Sequence, residues 1–159
     1  ILRELMEVNY FGAIQSVLPA IPYLIESKGT IVVISSITGK RPVPTRSGYC
    51  ASKFAVVGLS EVLYYELKEK NIHVHLICPG AVETAFPKNS PGYEFFDHKR
   101  RHTYIITPED VAKATLDALE KNRFETVIPR EAAMKIWGKG IVPGLWRKVL
   151  YKITRGEKY

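Results

Sequence analysis

Residues 31–53 read IVVISSITGKRPVPTRSGYCASK, and this stretch indicates how the whole chain is organised. An apolar run at 31–34 predicts a buried strand, and Ser36 follows shortly after it. A loop containing Gly and Pro comes next. A predicted helix then presents Tyr49 and, four residues later, Lys53. A hydroxyl at the carboxyl end of a strand, followed by a Tyr and a Lys on one helix, is typical of an active site.

The spacing of Tyr49 and Lys53 predicts an interaction, because residues four apart share one face of a helix. An ammonium roughly 4 Å from a phenol, at an effective dielectric of about 20, favours the phenolate by about 4 kcal/mol. That is at most roughly three pKa units. We therefore expect Lys53 to lower the pKa of Tyr49, so that the phenol acts as a general acid or base. Ser36 would donate a hydrogen bond to a carbonyl or alkoxide oxygen.

This arrangement is similar to the signature of a known family. Ser36, twelve intervening residues, Tyr49, three intervening residues and Lys53 resemble the Ser…Tyr-x-x-x-Lys pattern of the short-chain dehydrogenases/reductases. A lone Tyr-x-x-x-Lys occurs often by chance, but further features appear in the order that the family shows. The resemblance covers roughly residues 1–130.

Three of those features lie outside the opening stretch. Asn9 stands where the family has a helix Asn, which organises a water-linked proton route to the Lys. Residues 79–84, PGAVET, resemble the loop beside the nicotinamide, and residues 107–112 resemble the start of a late helix. Taken singly, each has a plain structural explanation: Asn9 as a satisfied buried amide, and Pro79-Gly80 as a turn.

The resemblance implies an oxidoreductase that moves a hydride between NAD or NADP and a carbonyl or secondary alcohol. The implied catalytic residues are Asn9, Ser36, Tyr49 and Lys53. The residues implied in cofactor binding are Asn9, Tyr49, Lys53, Pro79, Gly80, Val82 and Thr84. Ser36 and Tyr49 would bind the substrate, whereas Ser35 is interpreted as structural. The choice between NAD and NADP, the substrate and the reaction direction stay open.

The implied fold is an α/β, Rossmann-like doubly wound parallel sheet, seen in part as its last three strands and flanking helices. The glycine-rich turn that holds a dinucleotide pyrophosphate in such folds is not in the sequence. The chain also begins inside a predicted helix. We therefore expect residues 1–130 to be the C-terminal part of a longer catalytic domain, whose other half would cover the edge of the first strand.

Periodicity and turn residues place the remaining elements. Residues 1–27 predict an amphipathic helix that Pro19 and Pro22 should kink or end. The unbroken apolar run at 31–34 predicts a strand covered on both faces. Further helices are expected at 48–70 and 108–122, and further strands at 71–78 and 124–128.

Polar side chains outside the predicted site are interpreted conservatively. We expect His73 and His75 to be satisfied or exposed sheet residues rather than metal ligands, since no third ligand has useful spacing. The loop residues expected to be solvated are Thr38, Lys40, Arg41, Thr45 and Arg46. Gly48 and Ser52 are small enough to let another segment or a cofactor approach Tyr49.

Composition narrows the classes of protein. A length of 159 residues and a hydrophobic content of 46% suit one domain with a core. The two cysteines, Cys50 and Cys78, do not form a disulfide framework and favour a reducing, cytoplasmic setting. No uncharged apolar run reaches the roughly 18 residues that a spanning helix needs, so none is predicted.

The net charge of +7 is concentrated in residues 131–159. This segment contains seven basic and two acidic residues, so its net charge is +5. The basic residues are Lys135, Lys139, Arg147, Lys148, Lys152, Arg155 and Lys158. Apolar residues alternate with them, so this basic amphipathic tail suits an anionic membrane surface with Trp137 and Trp146 at the headgroups. The alternative is a helix packed on its own domain or on a partner copy. No nucleic-acid recognition motif accompanies the charge.

Two expectations concern partners. The aromatic-rich segment 85–106 should cover the substrate and favours an apolar or bulky carbonyl compound. The apolar helix at 48–70 suggests a homodimer or homotetramer, since the family commonly assembles through the equivalent helices. The competing hypothesis is a truncated, non-catalytic chain that acts as a dimerisation or membrane-surface module.

Overall fold

The computed structural model describes residues 1–84 and 105–154. The predicted substrate-covering segment therefore lies largely outside the described residues. The elements, in order, are α1 (Leu2–Met6), a π-helical turn (Glu7–Phe11), α2 (Gly12–Ser27), β1 (Thr30–Ile34), a 3₁₀ turn (Ile37–Gly39), α3 (Ser47–Lys68), β2 (His73–Pro79), β3 (Ala81–Val82), β4 (Ile105–Ile106), α4 (Pro108–Glu120), β5 (Glu125–Ile128), α5 (Arg130–Ile141) and α6 (Pro143–Thr154).

The main sheet has three parallel strands in the order β1-β2-β5. Residue 31 pairs with residue 74, and residue 76 pairs with residue 125. A separate two-stranded parallel sheet joins β3 to β4. Parallel strands joined through helices confirm the predicted Rossmann-like α/β class, and they place the carboxyl ends of β1 and β2 side by side.

The core lies between the main sheet and helix α3. Its first cluster consists of Ile31, Leu63, Leu67, Ile72 and Val74, with Val17, Ile21 and Leu24 of α2 packed against it. A second cluster contains Val57, Leu76 and Cys78. Because Leu76 is completely buried, β2 is the strand around which the described part of the fold is built.

The first helix differs from the prediction. It runs without a break through Pro19 and Pro22, and its regular α-helical bonding changes instead at the π-helical turn Glu7–Phe11. Each proline removes one backbone bond, to the residue four positions earlier. Those residues, Gln15 and Leu18, lie on the exposed side, where water can satisfy the freed carbonyls.

Helix Leu2–Ser27 is also long and apolar enough to cross a membrane, by length and composition alone. The expectation that no segment would pass that test is therefore wrong. Leu5 is buried, and the partly buried Ile21 and Leu24 pack against the core, but no residue of the apolar 18-residue window is fully buried within the described residues. One such helix is weak evidence for a membrane span.

Strand β1 is not covered on both faces, which corrects the prediction. Ile31 is buried, but Val32 is 38% exposed and Ile34 is 47% exposed. Successive side chains of a strand point to opposite faces, so the described residues cover only one face. The unbroken apolar sequence still fits a strand with a second apolar surface to bury.

The later elements agree with the sequence to within a few residues. Thr107 caps α4, and its side chain and that of Asp110 form a reciprocal capping box. Residues 130–154 form α5 and α6, so the tail is helical as far as it is described. The side chain of Trp146 lies under the guanidinium of Arg41, whose carbon is 5.9 Å from the ring centroid. One side of α6 therefore packs on the domain.

Candidate active site

The predicted site residues converge at the carboxyl edge of the main sheet. Ser36 follows β1, and Pro79 ends β2, whose residue 77 is paired with residue 34 of β1. Helix α3 brings Tyr49 to the same edge from its first turn. Open parallel sheets bind ligands beyond the carboxyl ends of their strands, so this edge is the place where a ligand site is expected.

Ser36 and Tyr49 are hydrogen-bonded through their side chains. Ser36 also caps the 3₁₀ turn, because its Oγ accepts the backbone N–H of Thr38 at 3.2 Å. The backbone of the turn therefore helps to orient the Ser36 hydroxyl. This contact brings together two residues that the family resemblance assigns to one site, while their catalytic roles stay predictions.

The turn after Ser36 is fixed against α3 by close packing. Ser35 Oγ donates to the carbonyl oxygen of Lys53 at 3.2 Å, which supports the structural role given to Ser35. A Cβ added to Gly39 would lie 2.6 Å from that same oxygen. Only glycine allows this approach of the turn to the helix, because real Cβ atoms essentially never come so close.

Lys53 lies on the same side of α3 as Tyr49. Its Nζ is 5.9 Å from the centroid of the Tyr49 ring and 3.5 Å from the carbonyl oxygen of Ile34, to which it donates. Burial lowers the pKa of Lys53, while the neighbouring thiol of Cys78 acts in the opposite direction. The ammonium therefore stands at the end of β1, within reach of a ligand at that edge.

The predicted decrease in the pKa of Tyr49 is wrong, and Lys53 is not among the groups that set this pKa. Burial raises the pKa of Tyr49 above its usual value of 10.0, and Cys50 adds to the increase. The hydrogen bond with Ser36 and the charge of Arg46 lower the pKa, but less than burial raises it. Desolvation disfavours the phenolate, and it outweighs these stabilising contacts.

Asn9 is joined to the site through Ser52. Its Nδ2 donates to Ser52 Oγ at 3.0 Å, and that hydroxyl donates to the carbonyl oxygen of Tyr49 at 2.9 Å. Leu2 and Leu5 pack against Gly48 in the same region, where an added Cβ would clash with the Leu2 side chain. The small residues of α3 therefore admit another chain segment, as predicted, while the proton-route role of Asn9 stays a prediction.

The predicted cofactor loop leaves the same edge. Pro79 is buried, and the backbone N–H of Gly80 donates to the carbonyl oxygen of Ile128 at 2.8 Å. Val82 pairs with residue 106, while Thr84 lies further on and is exposed. The loop is thus held at its base, and its far end can be reached by a ligand.

Three residues near the site were missed or misread in the sequence. Thr38 is buried, Lys40 is only 17% exposed at its side chain, and Arg46 acts on Tyr49, although all three were expected to be solvated. The sequence feature that could have predicted their burial is proximity to Ser36. Thr38 and Lys40 lie within four residues of Ser36, in a turn that must pack on α3.

Cys78 is the other buried titratable group at this edge. Burial and the carboxylate of Glu125 raise its pKa to about 12, despite opposing effects of Lys40, the Ser36 backbone and Lys53. A thiol with this pKa stays protonated at neutral pH. Cys78 therefore acts as a small apolar group in the floor of the site.

The histidines of β2 behave as expected. His75 is buried and its Nδ1 lies 2.8 Å from the carbonyl oxygen of Arg123, whereas His73 is exposed. Within residues 1–84 and 105–154, no cluster of three metal-ligating side chains is present.

A cleft near the site is lined by Pro42, Val43, Pro44, Thr45, Ser47, Cys50 and Phe54. The predicted catalytic residues do not line it, because Ser47, Cys50 and Phe54 lie on a different face of α3.

The sequence of the chain matches the family described as short chain dehydrogenase over residues 2–92. This is more than half of its length, and it includes Asn9, Ser36, Tyr49 and Lys53. The chain belongs to the short-chain dehydrogenase family.

Known proteins show the same likeness. The chain is 31% identical over 161 residues to dehydrogenase/reductase SDR family member 7B of Mus musculus, covering 98% of the chain and 50% of that protein. It is 43% identical over 84 residues to hydroxysteroid 11-beta-dehydrogenase 1-like protein of Xenopus tropicalis, covering 52% of the chain and 29% of that protein. The chain thus spans about half the length, or less, of these relatives.

Solved structures share the fold. A short chain dehydrogenase from Burkholderia cenocepacia J2315 in complex with NADP is similar with a TM-score of 0.76 and 26% identity. The match covers 95% of this chain and 59% of that one. The described elements therefore occur together in a complete dehydrogenase.

Proposed function

We propose that the protein carrying this chain is an NAD(P)-dependent oxidoreductase that moves a hydride between the cofactor and a carbonyl or secondary alcohol. The observation that carries the proposal is the hydrogen bond between Ser36 and Tyr49, with the Lys53 ammonium 5.9 Å from the phenol ring. Ser36 would position the substrate oxygen, and Tyr49 would exchange its proton.

The residues present fit a nicotinamide cofactor. Lys53 offers an ammonium at the edge of the sheet, Gly80 has no Cβ to block a ring, and Thr84 offers an exposed hydroxyl. Lys53 would hold the nicotinamide ribose, with Asn9 and Tyr49 beside it and the 79–84 loop along the carboxamide. The cofactor supplies the hydride chemistry, and the protein supplies geometry and protons. The NADP held by the Burkholderia cenocepacia relative supports this class of cofactor.

The Tyr49 phenol is protonated at neutral pH, and its raised pKa makes it a weaker acid than a free phenol. In the reduction of a carbonyl compound, Tyr49 would give its proton to the substrate oxygen, and Ser36 would share the developing charge by donating to the same oxygen. In the oxidation of an alcohol, the same proton would move in the reverse direction. Asn9 and Ser52 would support exchange of the proton with Tyr49 in either direction.

A bulky, apolar carbonyl compound is the substrate class that we infer. The relative from Xenopus tropicalis is described as a hydroxysteroid dehydrogenase-like protein, which supports a large apolar skeleton. The aromatic residues of the segment expected to cover the substrate point the same way.

Substitution of Tyr49 by Phe tests the proposal. In the full-length protein, Tyr49→Phe should abolish turnover of NADH or NADPH with a carbonyl substrate, because the proton donor is lost, while cofactor binding survives. Tyr65→Phe is the matched control, since Tyr65 lies on the same helix and is 73% exposed. Turnover is followed by nicotinamide absorbance, and binding by fluorescence titration.

Two results would count against this function. Retained turnover in Tyr49→Phe would contradict the role of the phenol. Failure of the wild-type full-length protein to bind either NADH or NADPH would favour the alternative of a non-catalytic module.

The tail is proposed to contact an anionic membrane surface. Apolar side chains of α5 and α6 are exposed, including Trp137 at 73% and Ile141 at 77%. Other exposed apolar side chains of this segment are Met134, Val142, Leu145, Val149 and Tyr151. Basic residues on the same two helices complement anionic headgroups. The protein would then be cytoplasmic and peripheral to the membrane.

Vesicle co-sedimentation tests the tail. Full-length protein should pellet with phosphatidylserine-containing vesicles more than with pure phosphatidylcholine, and removal of residues 131–159 should abolish the difference. Trp137→Ser with Ile141→Ser is the milder variant, and Leu116→Ser is a control on another exposed apolar position. Equal binding with and without the tail would remove this part of the proposal.

A homodimer or homotetramer is the proposed assembly. Large apolar side chains are exposed on α2 and α3, among them Leu18, Tyr23 and Val62. Sedimentation velocity should give a multiple of the subunit mass, and Val62→Glu should reduce it. A monomeric wild-type protein would contradict the assembly.

A further inference from the structure

Lys40 forms a compact ion cluster beneath the turn that carries Ser36. Its Nζ lies 2.6 Å from Glu125 Oε2 and 3.2 Å from Glu61 Oε1. The Lys40 side chain is 17% exposed, so this cluster is partly shielded from water. One loop residue thereby contacts both helix α3, through Glu61, and strand β5, through Glu125.

The backbone of Lys40 is part of the same turn as Ser36. Its N–H donates to the carbonyl oxygen of Ile37 at 3.1 Å, and the N–H of Gly39 donates to that of Ser36 at 2.9 Å. Lys139 of α5 donates from Nζ to the carbonyl oxygen of Lys40 at 2.9 Å. Lys40 is therefore held at both its side chain and its backbone, and any shift of Lys40 is passed to Ser36 within one turn.

The cluster depends on Lys40 for its charge balance. Glu61 and Glu125 are both within 3.2 Å of its ammonium. Removing one partner from a partly buried ion pair leaves an uncompensated charge. Without the ammonium, the two carboxylates would repel each other and turn toward solvent. The turn would then lose the contacts that hold it to α3 and β5.

We propose that Lys40 is a positioning residue, which holds the Ser36 turn in the place where the Ser36 hydroxyl meets the Tyr49 phenol. This inference rests on the proposed oxidoreductase function and deepens it, because it names a residue that acts on the reaction without touching substrate or cofactor. It also explains why a lysine in a surface loop is largely withdrawn from water.

A positioning role predicts a change in the pH profile. The Ser36 hydrogen bond lowers the pKa of Tyr49, so weakening it moves the Tyr49 limb of the rate profile to higher pH. The other groups that face Tyr49 are Arg46, Cys50 and Lys53. Those acting on Lys40 are Glu61 and Glu125, with Cys78 close to the cluster and Lys139 on the backbone.

The experiment compares Lys40→Met with Lys40→Arg in the full-length protein. We expect Lys40→Met to lower kcat on the order of tenfold, with KM for the cofactor nearly unchanged and the Tyr49 limb moved to higher pH. Lys40→Arg keeps a charge able to bond two carboxylates and should restore most of the rate and the profile. Lys70→Met, on an exposed lysine, should resemble wild type.

A merely structural role gives a different result. In that case Lys40→Met would lower the melting temperature while the pH profile of the remaining activity stayed unchanged, and this would overturn the inference. Recovery no better in Lys40→Arg than in Lys40→Met would overturn it as well. If Lys40→Met does not fold, Lys139→Met leaves the ion cluster intact, removes the bond to the Lys40 backbone and a cation–π contact with Phe54, and should shift the profile in the same direction.

A second measurement separates this inference from the proposed function. The Tyr49 phenol can be titrated by nuclear magnetic resonance, with its signal assigned as the one lost in Tyr49→Phe. A shift of that titration to higher pH in Lys40→Met supports the positioning role even if no carbonyl substrate is turned over. An unchanged titration contradicts it even if the wild-type protein is an active oxidoreductase.

Discussion

Replacement of Gly39 by alanine is the sharpest test of how the Ser36 turn packs on α3. The added Cβ would lie 2.6 Å from the carbonyl oxygen of Lys53, 2.9 Å from the carbonyl carbon and 3.0 Å from Ser35 Oγ. Two of these atoms are backbone in the middle of a helix turn, so they cannot rotate away. The turn itself must move, and Ser36 moves with it.

The cost follows from forcing extra volume into a packed site. Insertion of a methyl group into a tight interior typically costs about 1–3 kcal/mol. At about 2 kcal/mol the unfolding equilibrium constant rises roughly thirtyfold, since about 1.4 kcal/mol corresponds to a factor of ten. We also expect loss of turnover, because the hydrogen bond between Ser36 and Tyr49 should lengthen.

The assay is urea unfolding of the full-length protein, followed by circular dichroism and fluorescence. Gly138→Ala is the matched control, because Gly138 lies inside α5 and an added Cβ there meets nothing within 4 Å. Alanine in a helix interior should stabilise by about 0.5–1 kcal/mol relative to glycine. Equal stability of Gly39→Ala and wild type would refute the packing argument.

The remaining predictions concern the core, the capping box and a thiol. Leu76→Ala should lower the free energy of unfolding by about 2–5 kcal/mol, because the side chain is completely buried. In urea unfolding, a loss below about 1 kcal/mol is typical of an exposed position. Such a small loss would contradict the assignment of β2 to the core. Asp110→Ala should destabilise the protein, and more at neutral than at acid pH. The backbone N–H of Thr107 and then its hydroxyl hold the pKa of Asp110 below its usual 3.8, so their contribution is present above that value and is lost as the pH falls through the lower folded-state value. A pH-independent effect would show that the carboxylate does not take part. Cys78, with a pKa of about 12, should resist iodoacetamide at neutral pH in the folded protein and react once it is unfolded; rapid labelling of the native protein, mapped by mass spectrometry, would show that the site is open.

The sequence predicted the fold well where local signals agree with tertiary packing. The helix of Pro108 is an example, because a capping threonine, a first-turn proline and acidic residues all mark the same start. Strand β2 was placed within two residues by its apolar run and the following Pro-Gly. The pairing of Ser36 with Tyr49 followed from the family resemblance rather than from periodicity.

The sequence failed where long-range packing decides. Pro19 and Pro22 do not break the first helix, because their freed carbonyls lie on its exposed side. Lys40 resembled a solvated loop residue, because its partners, Glu61 and Glu125, are 21 and 85 positions away. The pKa of Tyr49 was expected to fall because a pairwise charge is visible in the sequence, whereas burial, which raises it, is a property of the folded chain.

Helix α3 carries the proposed proton donor, Tyr49, on one side and Val57, Leu63 and Leu67 of the interior on another. A large mutational scan of this segment scored by turnover alone would therefore mark both sides as equally intolerant. Catalytic and structural positions would be distinguished only if two quantities were measured for each variant. These are the fraction of protein that folds and the turnover rate per folded molecule.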